Sequence, residues 1–162
     1  MSQTPEYFMA EALKEAKKAF DIQEVPVGAI IEKEGIIIGR GYNLIESAKD
    51  PTTHAELMAI RQAAKTLGAW RLLDCTMYVT TEPCPMCAGA MVLARIKKVY
   101  IGTPDKKTGA CGSLMNTLQD DRLNHQVEIE TGILQEDCEK LMKIFFKNLR
   151  KKKFGGKNEE NR

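Results

Sequence analysis

No run of apolar residues in this chain approaches the roughly 20 that a membrane-crossing helix needs, so no segment is a candidate span. A dominant charge is missing as well: 24 basic and 22 acidic side chains leave a formal net charge of +2. That balance gives no global field for a polyanion, and any nucleic-acid contact has to rest on where the charges sit. The five cysteines make an odd count without the spacing of a disulfide framework, which suits a reducing compartment. The polar opening Met1-Ser2-Gln3-Thr4-Pro5-Glu6 has no signal-peptide pattern, and a cytoplasmic location is expected. There is no internal repeat and no sign of a second domain. What is present is 43% apolar and 28% charged residues over 162 positions, enough for one soluble core. A single domain is expected over 1–154, followed by a polar, disordered tail over 155–162.

Thr4-Pro5 reads as a cap and first helical residue, after which Phe8, Met9, Ala12, Leu13, Ala16, Ala19 and Phe20 recur at helical spacing. Residues 27–32 and 36–42 are strand-like around Lys33-Glu34-Gly35, short enough for a hairpin. Gly39 and Gly41 resemble the start of a dinucleotide fingerprint, but the third glycine is missing and the strand leads into loop. A helix is predicted from 53 to about 67, stopped by Gly68. A strand over 76–80 delivers Glu82-Pro83-Cys84 to a helix running from about 84 to 94, and 99–101 is another strand. Strand, helix and strand across about 25 residues favour a parallel pair with its crossover helix. Side chains at those helix starts then lie at the carboxyl ends of strands, where open α/β sheets place their sites. The stretch 103–118 is loop-rich and expected to flank the pocket, 127–130 is an edge strand, and Leu134, Cys138, Leu141, Met142 and Phe145 trace the buried stripe of a final helix. That helix ends in Lys147, Arg150, Lys151, Lys152 and Lys153. Basic residues there offset the helix dipole, and with Phe145 and Phe146 just before them they also suit a surface that meets phosphates and stacks a base.

The chemistry concentrates in His54-Ala55-Glu56 and Pro83-Cys84-Pro85-Met86-Cys87. Cys84 and Cys87 are three apart, so on a first helical turn both sulfurs face one way and can hold two corners of a tetrahedron. His54 supplies a third. The positive end of the helix dipole favours the thiolate that a metal needs. Three protein ligands leave one position for water, whose pKa zinc can bring to about 7. Glu56 is poorly aimed to be a fourth ligand but suited to accept that water's proton as a general base. Each half also has a plainer reading. Thr53-His54-Ala55-Glu56 fits a capping box, and a lone C-x-x-C is often a structural metal site or a redox pair. In the order H-x-E then P-C-x-x-C, each at a helix start, the two together resemble the signature of zinc nucleobase deaminases.

Across nearly its whole length the chain resembles the cytidine-deaminase-like superfamily and, within it, the bacterial tRNA-specific adenosine deaminases. The resemblance runs through Glu24-Val25-Pro26-Val27-Gly28-Ala29, Gly41-Tyr42-Asn43, His54-Ala55-Glu56, Glu82-Pro83-Cys84-Pro85-Met86-Cys87-Ala88-Gly89-Ala90, Lys107-Thr108-Gly109-Ala110 and Gly112-Ser113-Leu114-Met115. It implies a three-layer α/β/α sandwich around a central mixed sheet of about five strands, and a homodimer. It implies one zinc ion per subunit on His54, Cys84 and Cys87, with Glu56 as proton shuttle. Asn43 and the backbone of Ala55 would meet the flipped base. Asp105, Lys107, Asn124, Phe146 and Arg150 would hold neighbouring nucleotides of a tRNA anticodon arm. The implied reaction is hydrolysis of the wobble adenosine to inosine, with loss of ammonia. Two alternatives remain at this stage. One is a free-base deaminase acting on guanine or cytosine; the other is a structural zinc module whose fourth ligand is Cys75, Cys111 or His125. Cys138 falls on the final helix's apolar stripe and reads as core, and His125 as a hydrogen-bonding residue.

Overall fold

A computed structural model describes residues 3–160, with side chains through Lys153. Helix α1 (Pro5–Asp21) opens as expected, with Thr4 Oγ1 accepting from the Tyr7 N–H at 3.2 Å and Pro5 in the first turn. Strands β1 (Gly28–Lys33) and β2 (Ile36–Tyr42) form the predicted hairpin, and Glu34 and Gly35 both take the positive φ that its tight turn requires. A single turn of helix, α2 (Ile45–Ala48), precedes α3 (Ala55–Leu67), which Gly68 ends in the left-handed conformation. Then follow β3 (Thr76–Thr81), α4 (Pro85–Ala94), β4 (Lys98–Thr103), a 3₁₀ turn, the edge strand β5 (Glu128–Thr131) and α5 (Gln135–Glu160).

The five strands lie in the order β2-β1-β3-β4-β5. β1 is antiparallel to both its neighbours, whereas β3, β4 and β5 are parallel. The sheet is therefore mixed, as expected, with every strand but β1 running one way. Helices α3 and α4 cover one face through Ala55, Ala59, Ala63, Ala88 and Met91, packed with Ile31, Met77, Val79 and Ile101. Helices α1 and α5 cover the other through Phe8, Met9, Ala12, Leu13 and Cys138, packed with Ile30 and Tyr78. Both inner faces of the sheet are thus apolar, and the strands carry near-continuous buried runs.

Gly39 and Gly41, set aside as a nucleotide fingerprint, have a packing role. A Cβ at either position would collide with a backbone carbonyl of α3, that of Ala59 or of Ala55. With alanines on the facing stripe, the glycines let α3 lie directly on β2, which fixes where the helix start, and so His54 and Glu56, can be.

The plainer reading of residues 53–56 fails, and one expectation about the C-terminal end is corrected. The capping box does not form. The residue capping α3 is His54, without a side-chain cap bond, and Thr53 instead donates its hydroxyl to the Asp50 carbonyl at 2.7 Å. The His54 and Glu56 side chains go to the cleft. At the other end the backbone stays helical to Glu160, where a polar tail without structure was expected over 155–162; residues 161–162 lie outside the described residues. Each of the paired glycines costs about 1 kcal/mol in a helix, yet extending an existing helix carries no nucleation cost.

Candidate metal centre and substrate cleft

The carboxyl ends of β2, β3 and β4 and the segment entering β1 converge at one end of the sheet, because β1 alone is reversed. A cleft of about 360 Å³ opens there. His54 stands at the start of α3 and Cys84 at the start of α4, both with extended backbone, and Cys87 follows one turn later. His54 Nδ1 lies 3.6 Å from Cys84 Sγ and 3.4 Å from Cys87 Sγ, and the three donor atoms lie within 4.8 Å of one another. The Zn–S and Zn–N bond lengths with tetrahedral angles give an N···S edge of about 3.6 Å, so this donor set fits zinc. The structure also specifies Nδ1 as the ring nitrogen facing the sulfurs.

The Cys87 thiol's hydrogen bond draws Cys84 down to about 4 against the effect of burial, and hydrogen bonding with Cys84 raises His54. Cys87 is pushed up by the neighbouring sulfur and by burial. Zinc ligation needs both sulfurs as thiolates and the imidazole neutral, so metal binding releases protons.

No fourth protein ligand joins the cluster among the described residues. Cys75 is buried with its sulfur 3.5 Å from the Leu73 carbonyl, and the Cys111 sulfur lies 3.9 Å from the Pro83 carbonyl. His125 Nε2 lies 2.7 Å from the Ile96 carbonyl, as a hydrogen-bonding residue would. Cys138 is in the core under α5.

Glu56 lines the cleft at 3% exposure. Burial pushes its carboxyl above the ordinary value, more strongly than its own N–H and the His54 charge lower it. Asn43 is buried in the opposite wall. Its side-chain oxygen accepts from the Ile45 N–H at 3.2 Å and its amide donates to the Val25 carbonyl at 3.3 Å. Ala55 also lines the cleft.

The remaining expected contacts are placed unevenly. Asp105 lines the cleft, but its carboxylate accepts from the Lys107 N–H, the Thr108 N–H and the Thr108 hydroxyl at 2.7–3.1 Å, so it shapes its own loop. Lys107 is exposed on that loop. Asn124 is exposed on the segment entering β5, beside the amino end of β4, the far end of the sheet from the cluster. On α5, Met142 reaches the cleft, Phe145 is buried against Phe20 with ring centroids 6.2 Å apart, and Phe146 and Arg150 are exposed.

Sequence reasoning missed two buried carboxylates. Glu24 accepts from the Ser47 N–H and hydroxyl at 2.6 and 2.8 Å and from the Glu46 N–H at 3.2 Å, joining the segment before β1 to α2. Glu82 accepts from the N–H groups of Asp105, Cys111 and Ser113 at 3.0–3.1 Å and from the Ser113 hydroxyl at 2.5 Å. Burial raises Glu82, but these donors outweigh it and hold the carboxyl below its ordinary value. Thr81 also lines the cleft, and its hydroxyl is the one buried side-chain polar atom without a protein partner among the described residues.

Comparisons with known proteins agree with this geometry. The family described as MafB19-like deaminase matches residues 3–150. The tRNA-specific adenosine deaminase of Bacillus subtilis is 52% identical over 148 residues, covering 91% of this chain and 92% of that protein. That of Aquifex aeolicus is 51% identical over 145 residues, 90% of this chain and 95% of its own length. A solved tRNA:A34 deaminase superposes with a TM-score of 0.80 at 37% identity, covering 83% of this chain and 98% of that one. A guanine deaminase from Nitrosomonas europaea shares the fold at a TM-score of 0.78 and 19% identity, over 90% of this chain and 85% of that one.

Proposed function

This chain belongs to the tRNA-specific adenosine deaminases, and we propose that it hydrolyses the wobble adenosine of a tRNA anticodon loop to inosine, releasing ammonia. The observation that carries this reading is a three-donor centre with the buried Glu56 carboxylate beside it in one cleft. Zinc, one ion per subunit on His54, Cys84 and Cys87, would supply the positive charge that makes water nucleophilic near neutral pH. Glu56 takes a proton from that water as its oxygen bonds to C6 of adenine, and passes the proton to N1. Glu56 then carries the proton of the new C6 hydroxyl to the amino nitrogen, the C6–N bond breaks, and ammonia leaves as C6 becomes a carbonyl. Asn43 and the Ala55 backbone orient the base. The anticodon loop is single-stranded, so its base enters the cleft at little unpairing cost. An assay of inosine formation on an anticodon stem-loop, run beside free guanine and cytosine, tests this. Turnover of a free base alone would overturn it.

The RNA contacts are assigned to the deaminase domain over 1–154: Asp105 and Lys107 at the rim, Phe146 and Arg150 on α5. The α5 surface supports this, because Met142 lines the cleft and Lys151, Lys152 and Lys153 lie exposed further along the same helix. Changing those three lysines to glutamine is expected to weaken stem-loop binding and reduce the slope of log K against log salt by about 2, at roughly 0.7 per phosphate contact on a single strand. An unchanged slope, measured by fluorescence anisotropy from low to high salt, would remove α5 from the interface. Asn124, at the far end of the sheet, takes no part in this subunit's own cleft. No helix among the described residues is long and apolar enough to cross a membrane, and the tRNA substrate supports a cytoplasmic location.

The protein is a homodimer through α4 in this reading. That helix has no charged residue, and its outward stripe Met86, Gly89, Ala90 and Leu93 follows the i, i+3, i+4, i+7 spacing, with Met86 and Leu93 at 37% and 67% exposure. Exposed Leu114 and Met115 sit on the loop whose backbone is tied to Pro83 at the start of the same helix. Leu93→Glu is expected to yield a zinc-loaded monomer by light scattering; a dimer of unchanged affinity would exclude this face.

A further inference from the structure

We propose that Glu82 is a positioning residue for the substrate cleft, its buried carboxylate holding the 105–113 segment as the wall that grips the nucleotide. The inference rests on the deaminase reading above and adds a residue to it. Past β4 the chain has no strand to rest on until β5, apart from one isolated bridge between Cys111 and Asn116. Asp105 and Thr108 of this irregular segment nevertheless line the cleft. Four donors from the segment end on Glu82, and the neighbouring Pro83 carbonyl accepts from the Ala110 N–H at 2.9 Å. Gly109 fits only because it lacks a side chain, since a Cβ there would collide with the Glu82 carboxylate and the Asp105 carbonyl.

A carboxylate offers about four acceptor sites, and the four donors fill them, so Glu82 has no lone pair left for a proton transfer. It acts through the loop: Asp105, held by its N–H, in turn holds Thr108 at the rim. Glutamine at this position would turn an –NH₂ toward N–H donors, breaking part of the clamp at constant volume.

The test compares kcat and KM for inosine formation on an anticodon stem-loop, with zinc content, in the wild type, Glu82→Gln, Ser113→Ala and Ser113→Thr. Glu82→Gln is expected to keep its zinc and raise KM about tenfold, the effect of losing a charge-assisted hydrogen bond, with kcat within about threefold. Ser113→Ala should move KM the same way by about threefold, and Ser113→Thr, which keeps the hydroxyl, should restore it. An unchanged KM in zinc-loaded Glu82→Gln, or a fall in kcat alone, overturns the proposal. Should Glu82→Gln lose zinc, the Ser113 pair decides: alanine and threonine behaving alike overturns it. If the wild type turns over only a free base, the reading of function fails instead, and the same KM comparison on that base still tests Glu82.

Discussion

Glu56→Ala is expected to lower inosine formation by about 10³-fold or more while keeping one zinc per subunit and a thermal midpoint no lower than the wild type's. The size of the loss follows from the number of transfers assigned to one group, for no other carboxylate in the cleft is free to replace it. Glu82 is saturated by four donors and Asp105 is folded back on its own loop. Stability should not suffer, because Glu56 is 3% exposed and removing a buried charge removes its desolvation cost. Glu56→Gln, of nearly the same shape, should be equally inactive. The group must be ionised to accept a proton, so kcat/KM should fall on the acid side as Glu56 becomes protonated. Metal analysis beside single-turnover kinetics checks this, and loss of zinc from either variant would make Glu56 a structural member of the centre.

Much of this centre was legible because metal chemistry constrains spacing. Neither half is specific alone; His54, Cys84 and Cys87 could be read together because H-x-E followed by P-C-x-x-C, each at a helix start, resembles the signature of zinc nucleobase deaminases. The alternating strand and helix pattern gave β3, α4 and β4 and thereby the end of the sheet on which the site sits. Harder to see was anything decided by long-range packing. Thr53 and Glu56 have the spacing of a capping box, but the cap falls on His54, Thr53 bonds to the Asp50 carbonyl, and Glu56 lines the cleft. Phe145 and Phe146 are adjacent in sequence, yet the helical turn of about 100° buries the first on Phe20 and leaves the second at 37% exposure. Glu24 and Glu82 look like ordinary surface acids; their donors come from 22–31 residues away along the chain, a separation at which local pattern carries no information. The signal available for Glu82 was its place beside Pro83-Cys84 at the end of an apolar strand, where a charge needs partners.

Stripping the metal with a chelator, or changing Cys87 to alanine, is expected to abolish activity and lower the thermal midpoint without unfolding the protein. Both apolar clusters close without the cluster's help: neither the α3–α4 side nor the α1–α5 side includes a metal ligand, and the sheet pairs along all five strands. Zinc binding then adds to folding stability by linkage, about 4 kcal/mol when free metal stands at 1,000 times its Kd, and that contribution is what chelation removes. A structural zinc module would behave differently, since there the binding energy is the folding energy and the metal-free chain loses its secondary structure. Far-UV circular dichroism with and without chelator separates the two. Activity should return when zinc is added back to the stripped wild type but not to Cys87→Ala, because two donors cannot hold the ion as three do. Recovery should also weaken toward acid pH: the hydrogen bond with Cys84 raises His54, so its protonated form, which cannot ligate, persists to a higher pH than in a free histidine. A chain that unfolds on chelation, or a Cys87→Ala variant that still deaminates, would mean that the trio's work is other than holding a catalytic ion.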